Sequence, residues 1–227
     1  MTTKSWKLSP SDMTFLWEEC PRCFYLKVIY SFNRPQVPFP RIFGRIDRIM
    51  KEFYEGKPTQ IISPDLPEGN VIFGERWVTS EPIALANHTS HCHIAGKIDS
   101  LVKFVDGSFG VIDFKTSEAR PEHIPFYSRQ LQAYAYALEH PAPGKLSLSP
   151  ITKMGLICVE PQKMDLTEDG KIAYFCHVTW LEIPTNEDQF LRLIDQILFL
   201  LEQPIPPDSN PECGFCKYRD LARINSL

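Results

Sequence analysis

The segment AGKIDSLVKFVDGSFGVIDFKTSEA, Ala95 to Ala119, decides how the chain is read. Two runs of apolar β-type sequence flank Asp106-Gly107, a pair suited to a hairpin turn. Each run carries an aspartate, Asp99 and Asp113, and Lys115 follows Asp113 by two. Charge in the middle of apolar β sequence is costly to bury unless it is paired or bound to a metal. Residues two apart share a strand face, so Asp113 and Lys115 lie on one side with Val111, and Ile112 and Phe114 on the other.

Whether Asp99 joins them depends on the hairpin. A two-residue loop, Asp106-Gly107, sets Asp99 opposite Phe114 and turns it away. A three-residue loop, Asp106-Gly107-Ser108, sets Asp99 opposite Lys115 on the shared face. A bulge elsewhere in the ladder has the same effect. With the three residues together, two carboxylates suit a hard divalent cation such as Mg²⁺. The metal then polarises a phosphoryl oxygen and acidifies water, and the lysine orients that water or stabilises developing charge. The plain alternative is a surface ion pair of Asp113 with Lys115 and a solvated Asp99.

The flanks place this hairpin in a larger pattern. Before it, Ser9-Pro10-Ser11-Asp12 reads as the start of a helix, which Pro21 kinks or breaks. A proline-rich linker, NRPQVPFPR, leads to RIFGRIDRIMKEFYEG. There Ile42, Phe43, Ile46, Ile49, Met50 and Phe53 follow a helical period, and Gly56 suits the C-cap. Arg41, Arg45, Arg48 and Lys51 occupy the other face. VIFGERWVTSEPIAL reads as one strand ahead of the hairpin. After it come a helix with a Tyr127, Leu131, Tyr134 and Leu138 stripe, two strands, and an amphipathic helix capped by Asn186. This order suits an α/β or α+β fold with a mixed sheet flanked by helices.

Composition narrows the class. The chain has 227 residues, 43% of them hydrophobic, and a formal charge of −4. The acidic balance is not that of a typical DNA binder, so contact with nucleic acid requires locally gathered positive charge or metal. No signal-peptide pattern and no membrane-length apolar run is read, so a cytoplasmic, membrane-free protein is expected. In that compartment the seven cysteines call for a reason other than disulfides. Cys20-x2-Cys23 and Cys213-x2-Cys216 supply four soft thiolates, which suit tetrahedral Zn²⁺ or an iron–sulfur cluster. Cys158 and Cys176 read as buried free thiols. His91 and His93 read as strand residues, and Glu75 as a strand-edge glutamate.

The motifs together resemble the PD-(D/E)XK nuclease superfamily, in particular its RecB-like branch. Gly96 and Asp99 match its GxxD strand, Asp113 and Lys115 its DxK strand, and Gln130 and Tyr134 its QxxxY helix. The resemblance implies a restriction-endonuclease-like core in one nuclease domain, residues 1–227. Residues 1–40 form its N-terminal helical segment, 41–203 its core and 204–227 its C-terminal cysteine segment. It implies Mg²⁺ or Mn²⁺ held by Asp99, Asp113 and the Phe114 carbonyl, with Lys115 catalytic and Gln130 and Tyr134 near the DNA. The branch commonly has a histidine ligand where this chain has Asp47, which reads equally as a metal ligand or as an ion pair with Arg45 and Arg48.

The chain is similar to AddB-type and CRISPR-associated adaptation nucleases. That likeness implies a [4Fe–4S] cluster on Cys20, Cys23, Cys213 and Cys216. Such nucleases carry one early and three late cysteines; the two-plus-two set here holds a cluster or zinc. The implied activity is metal-dependent cleavage of DNA, single-stranded by preference, in repair, recombination or CRISPR adaptation. No P-loop is present, so any helicase or adaptation partner is another chain. Arg41, Arg45, Arg48 and Lys51, with Arg120 and Arg129, are candidates to track phosphates, and Phe126 and Tyr127 to stack bases. A non-catalytic DNA- or partner-binding module on the same fold is the rival reading.

Overall fold

The structure, a computed structural model, describes residues 4–35, 38 and 40–224. Three positions of the proline-rich linker, 36, 37 and 39, lie outside the described residues, as does the extreme N-terminus. The strands are β1 (Ser5–Leu8), β2 (Gly69–Thr79), β3 (Ile83–Ala84), β4 (His91–Phe104), β5 (Phe109–Lys115), β6 (Ile151–Leu166) and β7 (Ile172–Glu182). They form one mixed sheet with the path β1-β4-β5-β6-β7, and β2 and β3 also pair with β4. The β1–β4 and β5–β6 pairs are parallel. The other pairs are antiparallel.

The helices are α1 (Trp17–Glu19), α2 (Pro21–Tyr30), α3 (Arg41–Tyr54), α4 (Ile124–Glu139), α5 (Glu187–Leu201) and α6 (Gly214–Ile224). Strand alternation sorts the core into two layers. Leu101, Val111 and Leu156 pack with Phe24, Leu131, Leu138, Ile194 and Ile197 of α2, α4 and α5. Val102, Ile112, Phe114 and Ile157 pack with Met50 and Tyr54 of α3. The sheet is therefore covered on both faces, which is how β4 and β5, each carrying one aspartate, can still be nearly all apolar.

Several sequence expectations are met in this framework. Pro21 opens α2 rather than kinking a longer helix, with Cys20 in extended conformation before it. Asn186 caps α5, its side chain accepting from the Gln189 N–H at 2.9 Å. Gly56 follows α3 at φ +74, where a glycine closes a helix without steric cost.

Others are corrected. The N-terminal helix begins at Pro10, directly after Ser9, as expected, but it does not continue as a regular α-helix. Ser5–Leu8 is a strand, and Asp12–Leu16 is a π turn in which Trp17 N–H reaches Asp12 O. Asp12 does not act in a capping box; its carboxylate takes the Lys27 ammonium at 2.7 Å. The run after Val71 divides into β2 and β3. On α3 only part of the apolar stripe is covered: Met50 is buried, while Ile42, Ile49 and Phe53 are exposed. Cys158 is buried, but Cys176 is exposed because it lies where β6 and β7 run on past the helices as a solvated ribbon.

Gly96 is where α4 meets the sheet. A Cβ at this position would lie 2.7 Å from Pro10 Cδ and 3.1 Å from Tyr134 Cε1. The Tyr134 hydroxyl donates to the neighbouring Lys97 carbonyl at 2.8 Å, which fixes α4 at that level. Gly96→Ala is therefore expected to lower stability by about 1–3 kcal/mol through overpacking. Chemical denaturation of the variant checks this; stability within 0.3 kcal/mol or so of wild type would show that α4 tolerates displacement.

Candidate active site and cysteine centre

The hairpin has the odd loop that the chemistry requires, one residue earlier than expected. Lys103 pairs with Phe109 and Ser100 with Ile112, and Phe104 N–H bonds Ser108 O at 2.9 Å. The loop is thus Val105-Asp106-Gly107, with Gly107 at φ +88. The Asp106 carboxylate accepts from Ser108 N–H at 2.8 Å and Ser108 Oγ at 2.7 Å, drawing Ser108 out of the turn and into the ladder. Continuing this register sets Asp99 opposite Asp113, on the same face. Asp99 Oδ2 lies 3.4 Å from the Phe114 N–H.

Asp113 is buried, with 3% of its surface exposed. Its Oδ1 accepts from Gln130 Nε2 at 3.1 Å, and Thr14 Oγ1 lies 3.4 Å from Gln130 Oε1. Its Oδ2 forms an ion pair with Lys115 but accepts no well-directed hydrogen bond among the described residues. Burial pushes the Asp113 carboxyl up to about 7; the Lys115 charge opposes this and the nearby Asp99 charge adds to it. Burial acts against the Lys115 ammonium, but Asp113 outweighs it and holds the lysine above its usual range. The Lys115 Nζ also sits 4.8 Å from the centre of the Tyr127 ring.

Asp99 is held from the other side. Its Oδ1 is 2.9 Å from Lys51 Nζ, which also meets Asp47 at 2.7 Å and Glu75 at 3.3 Å. Glu75 in turn pairs with Lys97 at 3.0 Å. Asp47 thus pairs with Lys51, one turn along α3, and lies in the same charged cluster as Asp99. Lys51 does not extend the basic surface of Arg41, Arg45 and Arg48, which are exposed; it is drawn inward by carboxylates. Sequence reasoning missed this role. The i, i+4 spacing of Asp47 and Lys51 was the available local signal, while Glu75 and Asp99 arrive through tertiary structure. Arg129 pairs with Glu18 and Arg120 with Glu118.

Of the helix motif, Gln130 bonds Asp113 directly, and Tyr134 lies beside Gln130 and the two aspartates. Tyr134 is buried, and its hydroxyl is committed to the backbone of β4. The donor set nevertheless fits a divalent cation. Two carboxylates meet on adjacent strands, and the buried Oδ2 of Asp113 has only the Lys115 charge as partner among the described residues, a donor set of hard oxygens that suits a divalent ion.

The second centre joins the ends of the chain. Cys20, Cys23, Cys213 and Cys216 are all buried, with their sulfurs within 4.8 Å of one another. Individual separations are 3.7 Å for Cys20 to Cys216, 3.8 Å for Cys23 to Cys213 and 3.6 Å for Cys23 to Cys216. Arg34 donates to Cys213 Sγ at 3.5 Å and Arg219 to Cys216 Sγ at 3.6 Å. Burial acts to raise the Cys20 thiol, yet hydrogen bonds from Asn210, Cys23 and Cys216 bring it to about 7. The four side chains form a group able to hold a metal ion.

Comparison with known proteins agrees with this geometry. No curated protein matches the chain. Among solved structures, the crystal structure of SSO0001 superposes with a TM-score of 0.50 at 21% identity, covering 95% of this chain and 84% of that one. At that identity the likeness is one of fold. A sequence profile of the PD-(D/E)XK nuclease superfamily matches residues 66–221. That span includes Asp99, Asp113, Lys115 and Gln130 and exceeds half of the chain, so the protein belongs to the PD-(D/E)XK nuclease superfamily.

Proposed function

We propose that the protein is a Mg²⁺- or Mn²⁺-dependent deoxyribonuclease that hydrolyses phosphodiester bonds. The observation that carries this reading is the buried Asp113 carboxylate, oriented by Gln130, paired with Lys115 and facing Asp99 across the hairpin. Asp99, Asp113 and the Phe114 carbonyl would hold the metal. When bound, it supplies positive charge against a phosphoryl oxygen and lowers the pKa of water. Gln130 fixes the Asp113 carboxylate through Oδ1, so that Oδ2 faces Lys115. Lys115, shielded from solvent and attracted to Asp113, is placed to donate to the attacking water or to the charge that develops on phosphorus oxygens.

Single-stranded DNA is the favoured substrate. Phe15 is 47% exposed and meets Tyr127 edge-on at 5.6 Å, while Tyr127 lies under Lys115. An exposed ring joined to the site through Tyr127 suits stacking with an unpaired base. Repair, recombination and CRISPR adaptation all use such cleavage, and a helicase or adaptation protein is the kind of partner it requires.

Labelled single- and double-stranded DNA incubated with Mg²⁺, Mn²⁺ or EDTA tests the activity. Cleavage is expected with either metal and not with EDTA. Asp113→Asn and Lys115→Ala are expected to lower the rate by roughly 100-fold or more with folding retained. Gln130→Ala should cost about 10- to 100-fold through misplacement of Asp113. A Lys115→Ala protein that cleaves at the wild-type rate would remove the lysine from the mechanism.

For the cysteine centre we propose zinc. Four thiolates at Zn–S bonds of 2.3 Å define a tetrahedron with edges of about 3.8 Å, and the three separations above lie within 0.2 Å or so of it. A four-iron cluster spaces its cysteines much more widely, because each binds a different iron. A tetrathiolate zinc site carries two negative charges, and Arg34 and Arg219 balance them. The purified protein is expected to be colourless with one zinc per chain by elemental analysis. Cys213→Ser should lose the zinc and melt at lower temperature. A brown protein containing iron would contradict this assignment.

A further inference from the structure

The Lys51 ammonium is enclosed by Asp47 of α3, Glu75 of β2 and Asp99 of β4 at 2.7, 3.3 and 2.9 Å. An ammonium has three donors and no acceptor. Three carboxylates from three separate elements therefore saturate it. The lysine side chain is only 11% exposed, so this is not a chance surface contact. Glu75 reaches it from a backbone with φ +51, a left-handed conformation that a glutamate adopts at a cost. The fold maintains that conformation at the point where Glu75 turns toward Lys51 and Lys97.

Charge balance points the same way. Asp47, Glu75, Asp99 and Asp113 face Lys51, Lys97 and Lys115, leaving one negative charge among these groups. A single divalent ion between Asp99 and Asp113 makes the cluster positive by one, which suits an anionic phosphodiester. A second ion beside Asp47 and Glu75 would have to enter against Lys51 and would make the cluster strongly cationic.

We propose that Lys51 occupies the place of a second cation, so that the site takes one divalent ion and Asp47 serves to hold Lys51 rather than to bind metal. Lys51 is a positioning residue: it fixes Asp99 through Oδ1 and leaves Oδ2 for the ion. The inference rests on the metal-dependent reading of Asp99 and Asp113 given above.

Mn²⁺ binding to the full chain, counted by electron paramagnetic resonance without DNA, tests it. Wild type is expected to bind one Mn²⁺ and Lys51→Met two, because removing the ammonium leaves Asp47 without its partner and Glu75 with Lys97 alone, beside Asp99. Equal counts in the two proteins, or two ions in wild type, would overturn the proposal. If wild type binds none, the metal reading of Asp99 and Asp113 fails, while a gain of one ion in Lys51→Met still supports the filled cage. Circular dichroism checks that Lys51→Met is folded. Asp47→Asn gives an independent arm: its Mn²⁺ dissociation constant is expected within threefold of wild type. A larger loss would make Asp47 a ligand and overturn the proposal.

Discussion

Placement of the Asp113 carboxylate inside the protein is the constraint on which the rest depends. A carboxylate with almost no exposure must be compensated, and each neighbour supplies part of the compensation. Lys115 gives a charge from the same strand, and Gln130 gives a hydrogen bond from α4. For Gln130 to reach, α4 must lie close on β4, and Gly96 is the position without a side chain that permits it. Tyr134 then fastens the helix at that height. The QxxxY pattern thus supplies one residue that bonds Asp113 and one, beside it, that fastens α4 to β4. What remains is a buried Oδ2 whose partner is the Lys115 charge, at the place proposed for the metal.

The cysteine centre solves a different problem. Cys20 and Cys23 precede the core sheet strands other than β1, and Cys213 and Cys216 follow the last helix that packs on it. Joining them ties α2 to α6 and so anchors the segment that carries Thr14 and Phe15. Thr14 lies against Gln130, and Phe15 against Tyr127. Metal bound at the cysteines would therefore support the candidate active site at one remove, through the π turn between β1 and α1. Structural metal binding adds directly to folding free energy, so its loss acts on the site by loosening this segment.

Most of the core was legible in the sequence because its signals are local. The alternation Val111, Asp113, Lys115 against Ile112, Phe114 gave the two faces of β5 without any tertiary information. The parity of the hairpin was also set by chemistry, since only an odd loop or a bulge brings Asp99 and Asp113 together. Its position was off by one, because the Asp106 carboxylate pulls Ser108 into the ladder. The features that were not legible are those made by distant residues. SWKL alternates polar and apolar residues, but over only four positions ahead of a Ser-Pro helix start, and β1 exists because β4 offers it a parallel edge. Lys51 looked like part of a basic face until Glu75 and Asp99 closed around it. The exposed side of α3 follows the same helical period as a buried one, and periodicity alone does not say which apolar residues are covered.

These elements converge on the proposed site: a single divalent ion between Asp99 and Asp113, with Lys115 on one side and Lys51 on the other. Anomalous diffraction from crystals soaked in Mn²⁺ locates that ion directly. One peak is expected between the Asp99 and Asp113 carboxylates, with Lys51 Nζ still within hydrogen-bonding distance of Asp99. A peak centred among Asp47, Glu75 and the position of the Lys51 ammonium, or no peak near Asp113, would contradict the account.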